Sequence, residues 1–535
     1  MRFLQTLLVA SLTVFCLSCS RSSSRKQNAS ELHFVFSSEP VTFDPRLGGR
    51  TTSQLITYQL FEGLTRADAS GKPQLAIAEA IDISDDGTVY TFHMRPSKWS
   101  NGDELTAMDF EYAWKCAISP EFGSQFAFAF YVIRNAKKAL RNECPIDDVG
   151  IQCLDAHTLQ VTLEHPAPYF LDWTSNPLYS PVYRPVAQTN PQWARDVFPT
   201  FISNGPYSIV EHLQGSHTVL KKNPLYWNAK DGAKTETLRF SIIEDPLTAY
   251  NVFLAGDADW FGAPFSPCTP PEILKNLEKQ HLLRSLPTAL TRRLDCCVSK
   301  PHLASVKIRK AFACAINRKE LASLFFVGEN EPAASIVTKT ISLLPSPQFE
   351  DGNVEMARRL FAEGCAELGL TAYPPLSILT RSDSKDLAVI LAERLHTILD
   401  IKASVEVCDP MIFRKRIACL DGDIALHDWI TMIPDPTYDL SEFRFKTTLT
   451  PTDWESPEFQ RLFAAAEATH DEEKRTELLR RAETLLIQEL PAIPLIYESF
   501  KYAKNPDITG DHFLPIGLPE LKRFELYESP KSGTV

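Results

Sequence analysis

Hydrophobic periodicity switches repeatedly along this chain between every second residue and every third or fourth, and this switching constrains the fold more than any single motif. Over 89–95, Tyr90, Phe92 and Met94 alternate with Val89, Thr91, His93 and Arg95, the pattern of a half-buried strand entered through the turn Asp85, Asp86, Gly87. Phe110, Ala113, Trp114 and Ala117 then recur at helical spacing behind Thr106, a residue suited to cap a helix. Strands are expected over 32–36, 207–210, 219–221 and 237–243, and helices over 53–64 and 248–256. Further on, apolar repeats predict helices over 306–326, 354–368, 384–399, 457–469 and 471–490, with strands at 376–379, 403–407 and 423–426 between them. The result is a mixed α/β protein. No repeat of fixed period occurs, which excludes solenoids and propellers. At 535 residues the chain exceeds what one core organises, so two or three lobes are expected.

The amino terminus reads as an export signal. Arg2 supplies a positive charge, residues 3–17 are apolar except Gln5, Ser11 and Thr13, and the small Ser18 precedes Cys19. The apolar run is shorter than a membrane span and no second one follows. Residues 20–31, SRSSSRKQNASE, are polar and without periodicity, a flexible tether. In an exported protein Cys144 and Cys153, flanking PIDDVGIQ, are candidates for a disulfide. Cys116, Cys314 and Cys365 fall in helical patterns where buried thiols are usual, and the adjacent Cys296 and Cys297 would form a strained bridge.

Enzyme signatures are missing. There is no GxSxG, HExxH, Walker A or GxGxxG, and the fragment GAKT at 232–235 lacks the glycine spacing of a phosphate loop. The twelve histidines do not show metal-ligand spacing, so neither a metal nor another cofactor is expected. A net charge of -12 without a Lys/Arg run excludes the electrostatic footprint of a nucleic-acid binder. Binding, not catalysis, is the reading left.

The residues 85–114, DDGTVYTFHMRPSKWSNGDELTAMDFEYAW, resemble the signature region of the bacterial ABC-importer solute-binding proteins of the oligopeptide, dipeptide and nickel cluster. The match continues in family order through SEPVTFDP, LFEGL, SNGPYSIV, KKNPLYWN, DPLTAYNVFLAGDADW, VKIRKAFACAINR and ELPAIPLIY. The resemblance implies a two-lobed periplasmic-binding-protein fold, type II and cluster C, with an extra domain inserted in the first lobe. Carried onto this sequence, 1–18 is the signal peptide, 19–30 the tether, and 31–61, 190–285 and 500–535 the first lobe. Residues 62–189 are the insertion and 286–499 the second lobe. Cys19 is similar to the lipidated cysteine of bacterial lipoproteins, although Cys16 stands where that motif prefers Leu. The expected partners are a short peptide or peptide-like solute, the transmembrane subunits of an ABC importer and a membrane reached through the anchor. The expected place is the periplasm or cell envelope, with the protein a monomer. The alternatives are a specialised solute on the same scaffold, such as a murein peptide or a chelated metal, and a non-transport interaction protein or chaperone.

The family holds a peptide extended between the lobes, pairing its main chain with protein strands. The corresponding segment here is DWITMIPDPT, and it gives Asp428, Trp429, Ile430, Thr431, Met432 and Asp435 as candidate ligand-binding residues. Met432 stands where the family has an Asp that holds the peptide's ammonium group. A thioether cannot replace that carboxylate, so either another acid such as Asp428 or Asp435 answers the ammonium, or the ligand presents none there. Two further family charges correspond to Gly49 and Leu426. Phe126, Tyr250, Trp429 and Tyr497 are candidate aromatics of the cleft wall, each equally suited to plain core packing.

Overall fold

A computed structural model describes residues 30–48, 51–195, 200–230, 232–267, 269–325, 330–344, 349–444, 452–469 and 471–527. The signal peptide, Cys19 and Gly49 lie outside the described residues, and so does the tether up to residue 29. Among the described residues no helix is long and apolar enough to cross a membrane.

One large mixed sheet runs through the molecule. Its strand order is Ala403–Cys408, Leu376–Arg381, Ile424–Ile430, Arg284–Cys296, Ala492–Lys504, Trp260–Gly262, Glu31–Phe36, Thr237–Ile242, His217–Lys222 and Tyr207–Leu213. The two central strands, Arg284–Cys296 and Ala492–Lys504, are thirteen residues each and antiparallel to one another. At one end Arg284 pairs with Tyr502, and at the other Asp295 pairs with Ala492. The register slips between Pro287 and Thr291, where four steps on one strand meet two on the other. Pro287 has no N–H to give the ladder, so the irregularity falls where a hydrogen bond is already missing, and it bends the pair.

The apolar side chains separate around these strands. One large core is built by residues from Leu32 to Phe265 together with Ile433, Tyr438 and the chain from Tyr502 onward, and a second lies between Leu294 and Ile496. Within the first, strands Ala78–Ile83, Val89–Met94, Thr158–Thr162 and Ile151–Asp155 form an antiparallel sheet of their own. Tyr90, Phe92 and Met94 are its buried row, and the helix Ala107–Ala117 lays Phe110, Ala113, Trp114 and Ala117 into the same core. That helix starts where Thr106 N–H donates to Asp109 Oδ2 at 3.0 Å, which satisfies an otherwise free terminal donor.

Three features differ from the sequence reading. The helix expected over 306–326 is broken into Val306–Ala315 and Arg318–Phe325, because Ile316 is extended and Asn317 caps the second helix by accepting from Glu320 N–H. Both central strands escape a periodicity search, since Pro287, Pro494, Arg292, Arg293 and Asp295 interrupt their apolar pattern. Cys144 and Cys153 are free thiols. Their sulfurs turn to different backbone carbonyls, of Asn135 and of Asp155, so the expected bridge is not formed.

Candidate ligand-binding site

The strand Ile424–Ile430 sets the geometry of the predicted segment. Its antiparallel pairing with the central strand places Trp429 opposite Thr291 and Asp428 opposite Arg292, and Thr291 is in turn paired with Tyr497. Directly paired residues share a face, so Trp429 and Tyr497 lie on one side of the sheet and Asp428 on the other.

On the Trp429 side the polar atoms are tied down. Asp439, fully buried, accepts from the Trp429 indole N–H at 3.0 Å, from Thr431 Oγ1 at 2.7 Å and from Thr338 N–H at 3.2 Å. Burial pushes its carboxyl up to about 6 against these bonds and the charge of Arg293. The Trp429 ring stacks on Tyr438 with centroids 5.7 Å apart, and Tyr438 meets Trp173 edge-on at 5.8 Å. Tyr497 is buried, its hydroxyl accepting from Ser335 N–H at 2.9 Å.

On the opposite side Asp428 is ion-paired with Arg381. Burial opposes its ionisation, but Arg381 and Arg292 outweigh it and hold the carboxyl below its usual range. Ile430 is half exposed at the strand end. Asp435 is committed as well. It caps the helix Pro436–Ser441 through Thr437 N–H at 2.8 Å and receives both terminal nitrogens of Arg475, at 2.8 and 2.9 Å. Neither acid named as a replacement for the missing carboxylate is therefore free.

Met432 is brought into contact with Asn176. Its carbonyl accepts from Asn176 Nδ2 at 3.1 Å, and its side chain helps line a recess with Tyr58, Asp172, Pro434 and Pro515. The recess offers about 20 Å³ to the centre of a water-sized group. Burial first, then the charge of Asp435, pushes the Asp172 carboxyl up to about 7, with Arg475 opposing.

Other contacts join segments far apart in sequence. Gln125 Oε1 accepts from Arg414 Nη1 at 3.0 Å, His165 Nε2 lies 3.4 Å from Glu467, and Thr340 Oγ1 donates to the Pro515 carbonyl at 3.3 Å. Phe126 follows Gln125 and lies over Gly48, where an added Cβ would come within 2.4 Å of its ring. Gly48 also has φ +58°, so glycine is required there on two counts. Leu426 is wholly buried in the second core.

Tyr250 is the exception among the predicted residues. It sits in a separate core with Val35, Phe261 and Ile273, its hydroxyl accepting from Gln280 Nε2 at 3.2 Å. The helix Pro246–Leu254 turns Ala249 and Tyr250 inward against the strand Trp260–Gly262, which takes Tyr250 away from Trp429. Sequence reasoning overlooked Asp172, Asn176, Arg414 and Asp439. Of these only Asn176, followed by Pro177, carries a local signal, that of a turn.

Comparison with known proteins decides what this arrangement belongs to. The model of bacterial extracellular solute-binding proteins, family 5 (middle part), matches residues 72–450. The chain belongs to this family. As a family 5 solute-binding protein it is a binding protein and not an enzyme. It is 31% identical over 489 residues to the oligopeptide-binding protein OppA of Bacillus subtilis, covering 90% of this chain and 89% of that one. To the dipeptide-binding protein DppE of the same organism it is 29% identical, with 90% of each chain covered. The solved structure of Burkholderia pseudomallei OppA superposes with a TM-score of 0.76 at 25% identity, over 94% of this chain and all of that one.

Proposed function

We propose that this solute-binding protein captures short peptides outside the cytoplasm and delivers them to an ABC importer. The observation that carries the reading is similarity over 90% of the chain to oligopeptide- and dipeptide-binding proteins, combined with a segment at Trp429–Met432 that meets Asn176 through the Met432 carbonyl. Residues 286–499 act as one lobe and 31–61, 190–285 and 500–535 as the other, with 62–189 inserted. The strands Arg284–Cys296 and Ala492–Lys504 pass between them and bend at the irregularity beside Pro287. A ligand touching both lobes stabilises the closed arrangement by binding it better than the open one. Trp429, Ile430, Thr431, Met432 and Phe126 border the ligand, Tyr497 and Asp435 support them from behind, and lipidation of Cys19 keeps the protein at a membrane.

A specialised solute is the second reading, favoured by Met432 and by Leu426, a buried apolar residue where the family carries charge. Mass spectrometry of what co-purifies with residues 30–535, first native and then denatured, separates the two. A ladder of heterogeneous short peptides supports peptide capture, and a single non-peptide mass overturns it in favour of the specialised ligand. Added peptide should also raise the melting temperature by mass action. Cys19→Ala should free the protein from membranes without altering capture, and retention on the membrane would overturn the anchor.

A further inference from the structure

The recess beside Met432 contains a carboxyl group that no other side chain hydrogen-bonds. Among its lining residues Asp172 is the only charged one, and its neighbours there, Met432, Pro434, Leu514, Pro515 and Ile516, are apolar. Among the described residues its carboxylate forms no ion pair and receives no hydrogen bond from another side chain. Arg475, whose charge acts on Asp172, turns both terminal nitrogens to Asp435 and Thr437. Tyr58, almost wholly buried, lines the same recess, and its hydroxyl lies near the Glu520 carboxylate without a hydrogen bond of ordinary geometry. A carboxylate without a side-chain partner in a largely apolar recess is costly unless something arrives to pair with it.

We propose that Asp172 binds a primary ammonium group of the ligand in this recess. The volume of about 20 Å³ admits one water-sized group, which suits an ammonium. The Asp172 carboxylate accepts the ammonium hydrogens. The assignment rests on the peptide-capture reading, in which the ammonium is either the peptide's amino terminus or a lysine side chain.

The test uses three synthetic tetrapeptide libraries offered to residues 30–535: one lacking Lys with a free amino terminus, the same library N-acetylated, and an N-acetylated library with one Lys. Wild type should recover a library carrying an amine over the lysine-free acetylated one by about tenfold or more, the usual worth of a charge-assisted bond. Which of the two amine libraries wins identifies the source. Asp172→Asn should level the preference while melting no lower than wild type. A preference that survives in Asp172→Asn overturns the proposal. Equal recovery of all three by wild type overturns it and leaves peptide capture standing, whereas recovery of none overturns both. A second measurement needs no variant. The charged groups acting on Asp172 are Asp435 and Arg475, and the arginine keeps its charge between pH 5 and 8. Preference for the lysine library, whose amine stays charged in that range, should therefore fall as pH drops through about 7, where Asp172 gains its proton. A flat profile counts against Asp172.

Discussion

Two carboxylates flank the Trp429–Met432 segment, and they are treated in opposite ways. Asp439, in the second core, is fully buried and takes hydrogen bonds from Trp429, Thr431 and Thr338. Asp172, in the helix Phe170–Thr174, is less buried and takes none from another side chain. Each is pushed above the ordinary range by burial, but Asp439 is compensated by hydrogen bonds from two side chains and an amide, and Asp172 only by the charge of Arg475 and its own backbone N–H. The difference separates a carboxylate that builds the site from one that the site holds ready. Buried acids with complete partners rigidify, and an incomplete one stores a demand for a cation.

The largest effect expected is at Asp439. Replacing it with Ala leaves the Trp429 indole N–H, the Thr431 hydroxyl and the Thr338 amide without an acceptor, and the sum should be about 3 kcal/mol of lost stability. Denaturant unfolding should show an earlier transition for the second lobe. A loss below about 1 kcal/mol would break the contrast with Asp172. Arg475 serves both regions, binding Asp435 with two nitrogens and opposing the proton on Asp172. Arg475→Ala should cost about 2 kcal/mol, since removing one partner strands a half-buried charge. It should also move the pH step in ammonium preference upward, because the opposing positive charge is gone.

Asp172→Asn should act with the opposite sign. Its carboxyl titrates higher in the folded protein, at about 7 against 3.8, so the native state holds the proton more tightly than the unfolded chain. The stability tied to that proton is present below pH 4 and is lost as pH rises to about 7. The neutral amide escapes this loss. The variant should match wild type near pH 4 and exceed it at pH 8 by about 1–2 kcal/mol after solvent screening, a rise of a few degrees in melting temperature. Calorimetry of both proteins at the two pH values checks it. A variant less stable at pH 8 would mean that Asp172 has a structural partner after all.

Much of this architecture was legible from residue patterns, and the failures share a physical cause. Helices with a cap and an amphipathic face, such as Ala107–Ala117 behind Thr106, announce themselves because every determinant is local. The strands Arg284–Cys296 and Ala492–Lys504 do not. Arg293 and Asp295 are buried in the middle of the sheet as a pair, with Glu442 completing the set, and a charge neutralised by a distant residue looks in sequence like a surface charge. The same holds for Asp172, whose neighbours Asp435 and Arg475 come from far along the chain. Its short helix, Phe170–Thr174, gives no hint of a recess. The segment 428–435 was found through family resemblance. That Asp428 and Asp435 are both occupied follows only from Arg381 and Arg475, which no motif links to them.

Aromatic residues give the smallest effect and the last way to sharpen the comparison. Trp429 and Tyr250 were indistinguishable in sequence as wall or core, and the structure ties Trp429 to Asp439 beside Met432 while sealing Tyr250 among Val35, Phe261 and Ile273. Tyr250→Phe removes one hydrogen bond, from Gln280 at 3.2 Å, and keeps the ring that packs on Phe261. It should cost less than about 1 kcal/mol and leave recovery of every peptide library unchanged. Trp429→Phe loses the bond to Asp439, so it should loosen Thr431 and Met432 and lower recovery of all libraries together, without altering the preference for an amine. If Tyr250→Phe instead changed which peptides are retained, the hydroxyl would be reaching ligand through a rearrangement of the helix Pro246–Leu254. The wall of the site would then extend to the far side of the first lobe.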